Sequence, residues 1–284
     1  MHIFKRVSHL RDWIRDRKTE GKRIGFVPTM GALHQGHLSL VSASLEDSDF
    51  TVVSIFVNPL QFNDPNDLKL YPRPLESDIQ MLISSKADVL FLPEVEDIYP
   101  PGTEKTLDFD PGSLALVMEG KFRPGHFNGV AQVMFRLLSI VEPERLYMGQ
   151  KDFQQLAIVR KLITDKNLNT ILVMCPIFRE TNGLAMSSRN VRLSSTARKE
   201  AGIIYNTLSE ALRDFEEGVA ISAIKEKSLA ALTGKDFVPE YFEIVDGLNL
   251  EDVADNHESQ FIVACCAVKV EGVRLIDNMI WTEN

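Results

Sequence analysis

The chain is poor in cysteine, short of positive charge and without long apolar runs, and each shortage closes off a class of protein. Its three cysteines, Cys175, Cys265 and Cys266, are too few for a disulfide framework. The last two are neighbours in a strand-like run, where successive side chains face opposite ways, so they make no CxxC metal site. Small apolar thiols in a reducing compartment are the expectation. The longest apolar run, Phe261–Val268, falls far short of the roughly 20 residues a membrane helix needs. The N-terminal MHIFKRVSHLRDW carries charge throughout and lacks an apolar core of signal-peptide length, so a soluble, cytoplasmic protein with no membrane partner is expected. Lys and Arg number 31 against 40 Asp and Glu, a net charge of −9. That is the wrong sign for a surface that neutralises nucleic-acid phosphates, so nucleic acid is not expected as a partner.

What is present fits a folded protein of 284 residues, 44% hydrophobic and 25% charged, long enough for two domains. Short apolar runs at Ile24–Val27, Thr51–Val57, Val89–Leu92, Arg145–Met148 and Thr170–Ile177 predict strands. Between them, Gly36–Leu45, Leu75–Lys86, Gly129–Val141 and Phe153–Lys166 have helical apolar spacing. This alternation predicts βαβ units on a parallel sheet, with ligands beyond the carboxyl ends of the strands. After about residue 179 the pattern changes to helices over Ser194–Glu217 and Ile221–Leu232. Strands follow at Tyr241–Val245, Phe261–Val268 and Val273–Ile276, with Glu271-Gly272 as a hairpin turn. The expectation is an α/β domain over residues 1–178 and a smaller α+β domain over 179–284, joined near Phe178–Thr181.

Several segments carry chemistry. Pro28-Thr29-Met30-Gly31-Ala32-Leu33-His34-Gln35-Gly36-His37 runs from a strand end through two glycines into a helix start, where backbone amides and the helix dipole favour phosphate. His34 and His37, three residues apart, can face one way there and donate to phosphate oxygens as charge develops. No HExxH glutamate accompanies them, which argues against zinc. Met186-Ser187-Ser188-Arg189-Asn190 offers hydroxyls, amides and a guanidinium to a polyphosphate. Gly149-Gln150-Lys151-Asp152-Phe153-Gln154-Gln155 follows a strand end: Lys151 can balance phosphate charge, Asp152 can accept from ribose hydroxyls, and Gly149 permits close approach. Val57-Asn58-Pro59-Leu60-Gln61-Phe62 places amides after another strand, suited to a small hydroxylated substrate. Gly120-Lys121-Phe122-Arg123-Pro124-Gly125-His126-Phe127-Asn128-Gly129 reads either as a mobile basic loop that closes over an anion or as an exposed connector. Singly, each segment also has a plain structural reading as a cap, a turn or a strand end.

In series, PTMGALHQGH, SIFVNPLQF, GKFRPGHFNGV, MGQKDFQQL and LAMSSRN resemble the corresponding segments of the pantoate–β-alanine ligase family, and the likeness covers almost the whole chain. The resemblance implies a Rossmann-like nucleotidyltransferase domain with a smaller α+β C-terminal domain. It further implies a reaction in which ATP and pantoate form pantoyl adenylate and pyrophosphate, after which β-alanine attacks to release pantothenate and AMP. By motif match His34, His37, Lys151, Ser187, Ser188 and Arg189 would be catalytic. Met30, Gly31, His34, His37, Gly149, Lys151, Asp152, Phe178 and Met186 to Arg189 would hold ATP. Asn58, Gln61 and Gln155 would bind pantoate, and Gln61 also β-alanine. Mg²⁺ carried on the ATP phosphates and a homodimer are implied as well. Glu76 and Asp78 fall where the family places acidic residues near the metal, but Ser77 interrupts the run and leaves the ligands unassigned. Two rivals stay open: a nucleotidyltransferase acting on a phosphate ester, and a nucleotide-binding regulator without turnover.

Overall fold

The computed structural model describes residues 1–62, 65–102, 107–255 and 259–283, with residues 65–67 described by their backbone alone. They divide into two compact units, Met1–Gly149 with Ile158–Pro176, and Gln150–Ala157 with Ile177–Asn284.

The first unit is built on a six-stranded sheet of β1 (His2–Phe4), β2 (Ile24–Thr29), β3 (Phe50–Ile55), β4 (Val89–Phe91), β5 (Arg145–Gly149) and β6 (Ile171–Cys175). The spatial order is β1-β4-β3-β2-β5-β6 and every pairing is parallel, as the βα alternation predicts. The strands are apolar because both faces are buried: Phe26, Val52, Val89 and Leu146 are inaccessible on one face, and on the other Val27, Val53, Leu90 and Tyr147 pack with Leu40 and Val41 of the helix Gln35–Asp47 and with Leu82 of the helix Leu75–Ser84. The chain runs from β2 to β3 to β4 on one side and then crosses to β5 on the other, so the order reverses between β2 and β5. There the sheet opens. β2 pairs with β3 as far as Thr29↔Ile55, but its pairing with β5 stops at Phe26↔Leu146. Pro28, which has no N–H to give, lies beyond that point. A reversal with splayed carboxyl ends is where open α/β sheets bind ligands.

In the second unit β7 (Phe237–Asp246), β8 (Phe261–Val270) and β9 (Val273–Glu283) form an antiparallel sheet in that order. Phe242, Ile244, Ile262 and Val268 pack with Ile204 and Leu208 of the helix Ile203–Glu216 and Ile224 of the helix Ile221–Ala231. The hairpin turn stands where the sequence predicts it, with Glu271 and Gly272 at φ 49° and 76°.

Three expectations are corrected. The helix expected over Ser194–Glu217 is two helices, Ser195–Glu200 and Ile203–Glu216. The break falls at Gly202, where a Cβ would lie 2.4 Å from the Asn182 carbonyl oxygen. The segment 120–129 is not an exposed connector throughout: it closes the short helix Met118–Phe122 and opens the helix His126–Val141, with the turn at Pro124 and Gly125 exposed between them. Its Gly120 and Gly129 are packed so tightly that a Cβ would meet the carbonyl oxygens of Ala115 and Leu60 at 2.0 and 2.2 Å. Finally, β9 does not end at Ile276 but continues through a buried Asp277 and Asn278.

Candidate active site

The turn after β2 is held open by a residue distant in sequence. Gly31 and Ala32 both take positive φ, 83° and 50°, a conformation that costs an alanine about 1–2 kcal/mol. Asp78, in the first turn of Leu75–Ser84 and 1% exposed, accepts the amides of Ala32 at 2.9 Å and Leu33 at 2.8 Å, one on each carboxylate oxygen. Burial raises the pKa of this carboxyl above its ordinary value, against the opposing pull of those two amides. On the strand side, the Thr29 hydroxyl donates to Ser54 O at 2.7 Å and accepts from Gly31 N at 3.2 Å.

The braced turn delivers His34 to the N-cap of the helix Gln35–Asp47 and His37 to its third position, with ring centroids 4.0 Å apart. The expected face-sharing pair is therefore present. His37 Nδ1 accepts the His34 backbone N–H at 3.3 Å. In the neutral ring that leaves the proton on Nε2. The amides of His37 and Leu38 donate to His34 O at 2.8 and 3.1 Å, so the first two amides of the helix, of Gln35 and Gly36, and the helix dipole are what this terminus offers where β2 and β5 have separated.

The segment after β3 packs alongside. Gln61, 9% exposed, donates from Nε2 to Met30 Sδ at 2.8 Å and accepts on Oε1 from Asn58 Nδ2 at 3.3 Å. Asn58 is 1% exposed and spends its amide internally: Nδ2 also donates to Gly129 O at 3.1 Å, while Oδ1 accepts from Tyr99 Oη at 3.1 Å and Leu60 N at 3.3 Å. It orients Gln61. His126, from the segment expected to be mobile, bonds through Nδ1 to Gln61 O at 2.7 Å and fixes the same residue from the other side. Gly149 ends β5 in this unit, and a Cβ added there would meet nothing within 4 Å.

The second unit holds the other candidates. Lys151, in the turn Gln150–Asp152, pairs with Asp152 at 3.2 Å. Gln155 is half-buried on the first turn of the helix Phe153–Asp165. Phe178 is 42% exposed, and its carbonyl accepts from Met186 N at 2.9 Å. Ser187 to Asn190 form a tight turn in which Ser187 Oγ accepts from Arg189 N at 3.2 Å and Ser187 O from Asn190 N at 3.0 Å. Ser188 lies half-buried between them. The turn is tied down by Asn190, whose Nδ2 donates to Glu180 Oε1 at 2.8 Å and Ala185 O at 3.1 Å. Burial alone would raise the Glu180 pKa, but bonds from Arg198 and Asn190 outweigh it and hold the carboxyl below its ordinary value.

The donor set does not build a dedicated magnesium cage. Among the described residues no group of three or more His, Cys, Asp or Glu can hold a metal, and both oxygens of Asp78 already accept backbone amides.

The model of the family described as pantoate-beta-alanine ligase matches residues 2–280. The chain belongs to that family. It is 46% identical over 283 residues to the pantothenate synthetase of Azobacteroides pseudotrichonymphae, covering 99% of this chain and 100% of that protein. It is 47% identical to the enzyme of Flavobacterium psychrophilum over 98% of this chain and 99% of that one. Among solved structures, the pantothenate synthetase of Thermus thermophilus superposes with a TM-score of 0.92 at 38% identity, covering 100% of both chains. The pantoate-beta-alanine ligase of Francisella tularensis, whose crystals contain a β,γ-ATP and β-alanine, does so at 0.80 with 37% identity over 99% and 98%. Membership of this ligase family makes the chain an ATP-dependent enzyme that forms pantothenate. Among the described residues no helix is long and apolar enough to cross a membrane.

The sequence reading missed the supporting roles of Asp78, Tyr99, Glu180, Asp277 and Asn278. Their signal is weak: polar side chains at positions where the surrounding pattern calls for apolar ones.

Proposed function

We propose that the chain condenses pantoate with β-alanine through a pantoyl adenylate. A pantoate carboxylate oxygen bonds to the α-phosphorus of ATP as the bond to the β-phosphate oxygen breaks and pyrophosphate leaves. The β-alanine amine, after losing a proton, then bonds to the acyl carbon, and AMP departs with the oxygen it received. The observation that carries this reading is the pair His34 and His37 at a helix N-terminus on the reversal point of a parallel sheet. In-line displacement at phosphorus needs positioning and charge stabilisation more than proton transfer, and imidazoles set on a helix dipole are suited to both.

In this reading His37, His34, Lys151, Ser187, Ser188 and Arg189 stabilise the phosphates. Met30, Gly31, Gly149, Asp152, Phe178 and Met186 line the nucleotide, and the open space beside Gly149 admits ATP. Gln61 and Gln155 bind pantoate, with Asn58 acting through Gln61, which also meets β-alanine. Mg²⁺ belongs to the ATP phosphates, in keeping with its habit of retaining water and using few protein ligands. The buried thiols of Cys175, Cys265 and Cys266 suit a reducing cytoplasm. Leu116 and Phe122, 74% and 42% exposed, suit a homodimer, which sedimentation would test.

The test is pyrophosphate exchange. With ATP, Mg²⁺ and pantoate but no β-alanine, labelled pyrophosphate should enter ATP. In the full reaction, pantoate labelled with ¹⁸O in its carboxylate should leave one labelled oxygen in AMP. Label in inorganic phosphate, with ADP as product, would refute the adenylate route.

A further inference from the structure

In the midst of an apolar strand β9 carries two adjacent buried polar residues, Asp277 at 3% and Asn278 at 2% exposure. β9 is an edge of its sheet, and Asn278 uses that position to clamp the Lys151 turn. Its Nδ2 donates to Gln150 O at 2.9 Å and Lys151 O at 3.0 Å, while its Oδ1 accepts from Gln150 Nε2 at 3.0 Å. The backbone N–H of Asn278 in turn donates to Asp277 Oδ1 at 2.8 Å. Asp277 takes the guanidinium of Arg179 in a fork, at 2.6 and 2.9 Å. Arg179 lies 4.2 Å from the Tyr205 ring centroid, donates to Gly183 O at 3.0 Å and bridges in strand fashion to Ala185, immediately before Met186. One buried strand segment thus holds both the turn that presents Lys151 and the base of the segment that presents Ser187, Ser188 and Arg189.

Burying a carboxylate is costly: desolvation keeps the Asp277 pKa raised although Arg179 pulls it down. A buried ion pair is frequently no more stabilising than apolar residues of the same volume. Core packing therefore gives no reason for this pair, whereas fixed geometry does.

We propose that Asp277 and Asn278 are positioning residues of the phosphate site, Asn278 setting Lys151 and Asp277 setting the Met186–Arg189 segment through Arg179. The inference rests on the proposed roles of Lys151 and Arg189 toward ATP. Neither β9 residue touches substrate; each acts through the backbone of the group it holds.

The experiment is a pair of double-mutant cycles read by pyrophosphate exchange on the full chain. Asn278→Ala should lower kcat about 10- to 100-fold, the size expected when a charge-stabilising group is displaced by about 1 Å, and leave the KM for pantoate within about twofold. In a Lys151→Ala background the same substitution should cost nothing more, because the residue through which it acts is gone. Asp277→Asn should be likewise silent in an Arg189→Ala background. If Asn278→Ala does not fold, as judged by circular dichroism and melting, Gln150→Ala replaces it. That variant loses only the bond to Asn278 Oδ1 and should show a smaller loss with the same non-additivity. Additive losses, with Lys151→Ala itself impaired, overturn the positioning role alone. Normal exchange by Lys151→Ala overturns the role of Lys151 and this inference with it.

Discussion

Asp78→Asn separates a brace from a metal ligand with one atom changed. In the native turn each carboxylate oxygen accepts one amide, from Ala32 and from Leu33. Asparagine retains a single oxygen and turns an NH₂ toward the other amide, so one charge-assisted bond is lost and one donor faces a donor. A hydrogen bond to a charged group contributes about 1.5–3 kcal/mol, and a buried amide left unpaired costs about 1–3 kcal/mol. Part of this is offset, since the pKa of Asp78 is raised by burial and the neutral side chain avoids that cost. The net expectation is a loss of about 1–3 kcal/mol, at about 2–4 °C in Tm per kcal/mol for a domain of this size. The larger effect is local. Ala32 is no longer held at positive φ, His34 and His37 lose their register, and adenylation should fall about 100-fold. The assay is pyrophosphate exchange across a magnesium titration, beside a thermal melt. A brace predicts a deficit that added Mg²⁺ does not repair. Rescue at high Mg²⁺, or exchange at the native rate, would show that the reasoning about Asp78 is wrong.

His37→Ala should slow the first chemical step by roughly 10²–10³, the usual loss for one transition-state donor, about 2.7–4 kcal/mol. A normal burst of pyrophosphate in single turnover would contradict its role. Tyr99→Phe removes the hydroxyl that donates to Asn58 Oδ1 at 3.1 Å. It should weaken pantoate by about 1 kcal/mol and leave ATP binding unchanged, so equal effects on separate titrations of the two ligands would contradict the Asn58–Gln61 arrangement. Glu180 has a depressed pKa in the folded chain, so its contribution is complete above the ordinary carboxyl value of 4.5 and is lost as the pH falls through the lower folded value. Hydrogen-exchange protection of residues 180–190, measured against the intrinsic rate at each pH, should therefore fall in acid, and Glu180→Gln should flatten that dependence; an unchanged acid slope of protection in the variant would exclude Glu180 as its source.

The sheet was legible because its strands are covered on both faces and read as unbroken apolar runs between amphipathic helices. Among the elements that escaped, two did so for different reasons. The helix Val7–Thr19 buries only Leu10 and Ile14, too few apolar residues to set a period. β1 has three residues and shows itself only through its parallel pairing with β4. The glycines of 120–129 suggested mobility since sequence cannot tell a glycine needed for motion from one needed for contact. At Gly120 and Gly129 the neighbouring carbonyls of Ala115 and Leu60 require contact, whereas Gly125 takes positive φ with open space around it.

Among the candidate site residues, those proposed to face ligand are legible in the sequence and those that hold them in place are not. His34, Gln61 and Lys151 stand in compact segments after strand ends, where topology makes any polar cluster informative, and Arg189 in an equally compact turn. Their supports come from far along the chain: Asp78 lies 46 residues from Ala32, Tyr99 lies 41 from Asn58, and Asn278 lies 128 from Gln150. A motif encodes which chemistry is possible; these long-range bonds decide whether it occurs in one geometry. The distribution of charge follows from the same division. The chain carries a net charge of −9, yet the proposed ATP site requires positive groups. Two of the acidic side chains are buried and already engaged, Asp78 by backbone amides and Asp277 by Arg179. Arg179 offsets the charge of Asp277, and net acidity is a property of the whole chain, so an acidic protein can still present a locally positive site to ATP.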